Sequence, residues 1–113
     1  MPHCIVEYSV ELEDVLTPAM LMEAVHDGTL GSGLFDGPDI KTRLVAYTHY
    51  QVGNERKPFV HVAAKILSGR TSEQKQMLAK SILDKMRALE LTNISLTVEV
   101  LDMDRSSYAK CVN

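Results

Sequence analysis

Residues 59–76, FVHVAAKILSGRTSEQKQ, change from a strand pattern to a helix pattern across one short turn. The first nine residues are rich in β-branched and apolar side chains, which predicts a strand over 59–67. A turn containing glycine and arginine follows, and Thr71 with Gln74 three residues later has the spacing of a helix capping box. A strand therefore leads directly into a capped helix, and this β-to-α step decides the fold.

Strand and helix patterns alternate through the rest of the chain as well. The predicted elements, in order, are strand 3–10, helix 18–28 capped by Thr17, strand 40–52, strand 59–67, a helix that begins at Thr71, strand 94–101 and a polar arm over 103–113. The stretch 27–39 contains four glycines and a proline, which predicts a loop. The order of elements is therefore β-α-β-β-α-β.

The two halves of the chain share one layout. The helix caps Thr17 and Thr71 lie 54 residues apart, and the prolines that begin the first and third strands lie 56 apart. We therefore predict a single domain over 1–113, made of two βαβ units over about 2–53 and 58–102. Right-handed crossovers would place both helices on one face of the sheet. The opposite face, expected to be rich in Val, Ile and Leu, would need cover from another subunit, which predicts an oligomer.

The composition excludes several classes of protein. The net charge is -3 and 24% of residues are charged, and no apolar run approaches the roughly 20 residues of a membrane span. A pI near 5.7 gives no support for nucleic-acid binding. The N-terminus lacks the basic and apolar segments of a secretion signal, so we expect a cytoplasmic protein. Cys4 and Cys111 form no ligand motif with the scattered histidines, so no metal site is predicted.

Pro2 is the first candidate for chemistry. Removal of Met1 would leave Pro2 as the N-terminus, with a rigid secondary amine that is able to act as a base or a nucleophile. An α-amino group titrates at about 7.7–8.0, and burial or nearby cations lower that pKa towards the operating pH. Many proteins carry proline at position 2 without any chemistry. The case for catalysis therefore depends on Pro2 lying directly before a core strand.

Two groups of cations are candidates for binding an anion. Arg70 lies between a strand and a capped helix, where backbone N–H groups and a guanidinium favour a carboxylate or phosphate. An ordinary turn with a solvated arginine fits that spacing equally well. Lys41 and Arg43 lie two residues apart on a strand and so share a face, for which simple solvent exposure is the plainer interpretation. No Lys or Arg precedes position 41 in the chain.

The segments MPHCIVEYS at the start, IKTR at 40–43 and the stretch 59–76 resemble the 5-carboxymethyl-2-hydroxymuconate Δ-isomerase family of the tautomerase superfamily. The resemblance covers nearly the whole chain. It implies an α+β fold in which two βαβ units form a four-stranded mixed sheet, with the first and third strands central and antiparallel. It also implies a homotrimer whose sheets face inward. A ferredoxin-like strand order would fit the order of elements alone equally well.

The same resemblance implies roles for five residues. Pro2 would be the general base, Arg70 and Arg43 would bind carboxylates as catalytic residues, and Lys41 and Phe59 would contact the substrate, with Phe59 as an apolar wall beside the proline. Lys41 stands where the family pattern has arginine, and lysine lacks arginine's planar fork. The implied reaction is a proton transfer, without a cofactor or a metal, in aromatic-compound catabolism. Its substrate would be an unsaturated 2-oxo or dienol di- or tricarboxylate such as 5-carboxymethyl-2-hydroxymuconate.

Two other functions fit the sequence. The first is another proline-based tautomerase, acting on phenylpyruvate-like enols, or a hydratase that adds water to unsaturated acids. The second is a non-catalytic ferredoxin-like ligand-binding or assembly module, in which Met1 is retained and Arg70 contacts an effector. All three interpretations predict a small-molecule or protein partner rather than nucleic acid or a membrane.

Overall fold

The computed structural model describes residues 1–113, and its centre is a four-stranded mixed sheet with both long helices on one face. The elements in sequence order are β1 (His3–Ser9), α1 (Pro18–Gly31), β2 (Lys41–Tyr47), β3 (Phe59–Leu67), α2 (Ser72–Arg87) and β4 (Ser95–Met103). Short 3-10 turns occupy Val10–Asp14, Gly37–Asp39 and Arg105–Ser107. Neither long helix combines the length and the apolar character that crossing a bilayer requires.

The strands lie in the order β2-β1-β3-β4. β1 is parallel to β2 and β3 is parallel to β4, whereas the two central strands β1 and β3 are antiparallel. This is the arrangement that the family resemblance implies. The parallel pairing within each half is that of two βαβ units, and it rules out a fully antiparallel ferredoxin-like sheet.

The core lies between the sheet and the two helices. Alternate residues of β1 and β3 point towards the helices and are fully buried, which is the period-2 pattern of a strand. These residues are Cys4, Val6, Val60, Val62, Ala64 and Ile66. The helices contribute Leu21 and Val25 from α1 and Leu78, Ile82 and Met86 from α2, all of them 0–1% exposed. These residues form the face of each helix that packs against the sheet.

Helix α1 runs three residues beyond its predicted end, so the first part of the predicted loop 27–39 is helical. The helix continues past Gly28 because this glycine is where α1 packs against α2. A Cβ on Gly28 would lie 2.6 Å from the Cα of Ile82, and Ser81 donates a hydrogen bond to the Gly28 carbonyl at 2.6 Å. This glycine permits close helix packing rather than a turn, which its sequence context alone does not reveal.

Two strand ends also differ from prediction. β2 ends at Tyr47 instead of residue 52, because its only partner, β1, ends at Ser9 and the chain then enters a 3-10 turn. β4 runs to Met103, two residues beyond the predicted end, because its pairing with β3 continues to Leu67. Strand β3 itself has the predicted bounds. Each edge strand thus ends where its pairing with the central strand ends.

The sheet face opposite the helices carries no long secondary structure, and we call it the open face. The prediction that it is rich in Val, Ile and Leu is wrong. In β3 the fully buried aliphatic residues point towards the helices. The intervening positions are Phe59, His61, Ala63, Lys65 and Leu67, of which one is Val, Ile or Leu. Polar groups on the open face pair with each other: Tyr47 donates to Glu7, and His61 contacts both Thr97 and Glu99.

Candidate active site

The N-terminus of the chain is held where β1 begins. Pro2 is among the fully buried residues, and its carbonyl accepts a hydrogen bond from the Lys41 backbone N–H at 3.0 Å. The amino group of Met1 donates to the Asp39 carbonyl at 2.8 Å. Because Met1 is joined to Pro2, the Pro2 nitrogen is a tertiary amide in this structure and has no basic lone pair. Chemistry at Pro2 therefore requires removal of Met1.

The surroundings of this amino group disfavour a positive charge. Burial lowers the pKa of the Met1 amine below its ordinary value, and the cations of Lys41 and Lys110 lower it further, while Asp39 opposes them. Lys41 is close because its Nζ donates to the same Asp39 carbonyl at 3.1 Å. Lys110 lies 3.5 Å from the Asp39 carboxylate. The structure thus brings the N-terminus and the predicted Lys41 together.

A cavity of about 260 Å³ opens beside Met1. It is lined by Met1, the segment 33–36, Asp39, Leu67, Arg70 and Arg105. The guanidinium of Arg70 donates to the Leu34 carbonyl at 2.9 Å and lies 5.3 Å from the centre of the Phe35 ring, within range of a cation–π contact. Arg70 therefore lies in the same cavity as the N-terminus.

Arg105 is the cavity residue that sequence analysis missed. It lies in the arm that follows β4, and its Nε donates to the Ser68 carbonyl at 2.6 Å. Because β4 runs parallel to β3 and pairs with it as far as Leu67 and Met103, the segments after both strands emerge at the same edge of the sheet. Nothing in the local sequence around Arg105 carries that information, since it depends on the strand pairing.

Arg43 lies outside the cavity, on the open face. Its guanidinium contacts Nδ1 of His3 at 3.0 Å, and the other ring nitrogen of His3 lies 2.8 Å from the Tyr108 hydroxyl. Burial, followed by the charges of Arg43 and Lys41, lowers the pKa of His3. Lys41 and Arg43 thus both lie close to the start of β1, but only Lys41 is beside the amino group.

Within one chain, Phe59 does not lie beside Pro2. The antiparallel register pairs His3 with Lys65, six residues along β3 from Phe59, so Phe59 lies about 20 Å away along the sheet. There it packs against the rings of Tyr47 and Tyr50. The aromatic side chain that lines the cavity is Phe35.

A larger cavity, of about 500 Å³, lies at the other end of the sheet. Its one cation, Arg56, forms an ion pair with Glu11, to whose carboxylate Tyr50 also donates, and Glu90 adds a further acidic side chain. No His, Cys, Asp or Glu side chains cluster in threes anywhere in the chain. The smaller cavity beside Met1 is the better candidate for binding an anion, since its arginines form no ion pair.

Comparison with known proteins decides the family. A family model described as 5-carboxymethyl-2-hydroxymuconate isomerase matches residues 2–113. The chain belongs to this isomerase family. Its region of similarity begins at Pro2 and includes both central strands, the Arg70 turn and the C-terminal arm. A sequence comparison with curated proteins finds no significant match.

Solved structures share the fold of this isomerase family member at low sequence identity. A crystal structure of 5-carboxymethyl-2-hydroxymuconate delta-isomerase has a TM-score of 0.85 and 17% identity, with 100% of this chain and 89% of that chain covered. A fused 4-OT protein, a symmetric trimer, has a TM-score of 0.78 and 20% identity, covering 96% and 90%. A protein inactivated by 2-oxo-3-pentynoate has a TM-score of 0.76 and 15% identity, covering 96% and 90%.

Proposed function

We propose that the protein is a cofactor-independent isomerase that moves a proton within an unsaturated 2-oxo or dienol di- or tricarboxylate, such as 5-carboxymethyl-2-hydroxymuconate. Pro2 is the general base. The observation that carries this proposal is the position of Arg70, which has no acidic partner and lines the cavity next to the N-terminus. An amine whose pKa is lowered, next to a guanidinium without an acidic partner, is suited to a carboxylate substrate.

The reaction begins once Met1 has been removed. The neutral Pro2 nitrogen takes a proton from a carbon, or from the dienol hydroxyl, that is conjugated to the carbonyl group. The electron pair moves onto oxygen, and nearby cations stabilise the dienolate. The prolinium then returns the proton to a different carbon, so that substrate and product are isomers and the enzyme is unchanged. Burial and Lys41 lower the pKa of the Met1 amine, and the same surroundings would favour the neutral form of the Pro2 amine one residue further along the chain.

The proposed assembly is a homotrimer in which neighbouring subunits cover the open face of each subunit. Two observations support it: the open face has no long element packed on it, and the fused 4-OT protein of the same fold is a symmetric trimer. Arg43 and Phe59 both lie on the open face rather than in the cavity. Their proposed contacts with the substrate therefore belong to a site to which neighbouring subunits contribute.

The first test is the state of the N-terminus. Intact-mass measurement of the purified protein is expected to give a chain that begins at Pro2. Incubation with 2-oxo-3-pentynoate, an alkynone that adds to amines, is then expected to label the N-terminal peptide and abolish activity. Retention of Met1 in an active protein, or labelling elsewhere with full loss of activity, contradicts proline catalysis.

The second test follows the ultraviolet absorbance of 5-carboxymethyl-2-hydroxymuconate and 2-hydroxymuconate. The wild type is expected to convert at least one of them. Pro2→Ala is expected to lower kcat, because a flexible primary amine then replaces the rigid secondary amine as the base. Arg70→Ala is expected to raise KM about tenfold or more by losing a charged hydrogen bond to a carboxylate. Arg87→Ala, in the exposed last turn of α2, is the control and should leave both constants unchanged. Equal rates for wild type and Pro2→Ala would show that the secondary amine of proline is not needed, which contradicts its proposed role as the base.

A further inference from the structure

Two arginines from separate elements meet in the cavity beside Met1. Arg70 precedes α2, and Arg105 follows β4. They meet because the parallel pair β3–β4 ends in register, with the Ser68 N–H donating to the Met103 carbonyl at 3.0 Å. The cavity thus has one cation from the start of a helix and a second from the C-terminal arm.

Each guanidinium group is held by a hydrogen bond to a backbone carbonyl, yet most of its N–H donors are free. Arg70 donates to the Leu34 carbonyl and Arg105 to the Ser68 carbonyl. Each guanidinium has five N–H donors, and neither forms an ion pair within the chain. Two carboxylates also line the cavity, but Asp39 is engaged with Lys110, and Asp36 pairs with neither arginine. Donors therefore remain for a ligand with more than one carboxylate.

The backbone that carries Arg105 is fixed by local contacts. The Asp104 carboxylate accepts hydrogen bonds from the Ser106 N–H at 3.0 Å and its hydroxyl at 2.8 Å, which caps the 3-10 turn. Gly69 lies beneath the guanidinium, with φ +121 and a Cβ position 3.7 Å from the Arg105 Nε. A side chain at position 69 would be strained by this φ, although its Cβ would make only van der Waals contact with Arg105. The glycine therefore permits the turn that lies against the arginine.

We infer that Arg105 binds a second carboxylate of the substrate while Arg70 binds the first, and that Arg105 thereby selects di- and tricarboxylates over monocarboxylates. This inference rests on the proposed function and names the substrate class of the same site. A monocarboxylate needs only one arginine. A second guanidinium therefore strengthens binding only when the ligand has a second carboxylate to offer.

The test compares a dicarboxylate, 2-hydroxymuconate, with a monocarboxylate enol, phenylenolpyruvate. Arg105→Ala is expected to raise KM for 2-hydroxymuconate about tenfold, with kcat within about threefold, and to leave KM for phenylenolpyruvate within about twofold. Arg105→Lys should recover part of the loss, because it keeps the charge without the fork. Arg87→Ala is the matched control. Equal changes for both substrates, or no change for either, would overturn the inference, since loosening of the Gly69 turn alone would affect both.

Failure of the proposed function is distinguishable from failure of this inference. If the wild type converts neither substrate, the isomerase proposal for these substrates has failed, and Arg105 is then tested by equilibrium binding. Calorimetric titration with tricarballylate, an unreactive tricarboxylate, is expected to give an affinity at least about fivefold higher for wild type than for Arg105→Ala. Equal affinities would remove Arg105 from the binding site whatever the reaction is.

Discussion

The imidazole of His3 contacts the hydroxyl of Tyr108, with 2.8 Å between Nε2 and the phenol oxygen. The other ring nitrogen lies 3.0 Å from a guanidinium nitrogen of Arg43. A guanidinium only donates, so Nδ1 accepts, and His3 is neutral with its proton on Nε2. Burial and the charge of Arg43 lower the pKa of His3, which agrees with this assignment. The start of β1 is thus joined to the C-terminal arm that carries Arg105.

Removal of the Tyr108 hydroxyl is expected to loosen this arm. Tyr108→Phe keeps the ring, whose edge-on contact with His3 has centroids 5.9 Å apart, and deletes one hydrogen bond worth about 1 kcal/mol. We expect faster amide hydrogen exchange over residues 104–113 and a KM raised a few-fold for a dicarboxylate. Hydrogen-exchange mass spectrometry with steady-state kinetics measures both.

The control for that change is Tyr50→Phe at the other end of the sheet. Its hydroxyl contacts Glu11, so its loss should leave exchange in the arm and KM unchanged. If Tyr108→Phe and Tyr50→Phe behaved alike, the contact between His3 and Tyr108 would not be what holds the arm.

Stability depends on the contact between α1 and α2 at Gly28. Gly28→Ala places a methyl group 2.6 Å from the Ile82 Cα and 2.9 Å from the Ser81 carbonyl oxygen, so the helices must separate at a cost of about 1–3 kcal/mol. Gly31→Ala is the matched control, because its Cβ would lie 3.4 Å from the Ser81 Oγ. There the better helix propensity of alanine should leave stability unchanged or raise it by up to about 1 kcal/mol. Urea unfolding at a fixed protein concentration compares the two, and equal losses would contradict the packing argument.

Much of the fold is predictable from sequence because its signals are local. The Thr71–Gln74 capping box is present with both of its hydrogen bonds, and the bounds of β3 match the periodic pattern. The predicted end of α1 at residue 28 is three residues short, because Gly28 permits packing against a neighbouring helix whose Ser81 is 53 residues away along the chain. Local patterns therefore place elements, whereas contacts between elements decide where they end.

The candidate site was predictable only in part, for the same reason. Arg70 follows a strand and precedes a capped helix, so its position at the sheet edge is a local consequence of the sequence. Arg105 reaches the same edge through the register of β4 on β3, which sequence patterns do not specify. The family resemblance supplied the strand order, but Phe59 lies at the far end of β3 from the cavity.

The pH dependence of activity is expected to change when the positive charge of Lys41 is removed. This cation lowers the pKa of the Met1 amine and is expected to act likewise on the Pro2 amine, which serves as a base only when it is neutral. Lys41→Gln should therefore raise the pKa of the base and move the acidic limb of kcat/KM to higher pH, reducing activity most at low pH. Lys41→Arg keeps the charge and should leave the limb near its wild-type position. A limb that does not move in Lys41→Gln would show that Lys41 has no influence on the base.

A substitution at the centre of the open face can test the proposed trimer. Ala63 lies on β3 between Ile5 of β1 and Glu99 of β4. Ala63→Arg places a long cation where the proposed trimer buries this face, and an unpaired buried charge costs far more than a solvated one. We expect sedimentation velocity to give a trimer for the wild type and a monomer for Ala63→Arg, with unchanged far-ultraviolet circular dichroism. Ala19→Arg, on the exposed surface of α1, should remain a trimer. If Ala63→Arg also remained a trimer, the subunits would meet elsewhere, and Arg43 and Phe59 would lose their proposed place at a shared site.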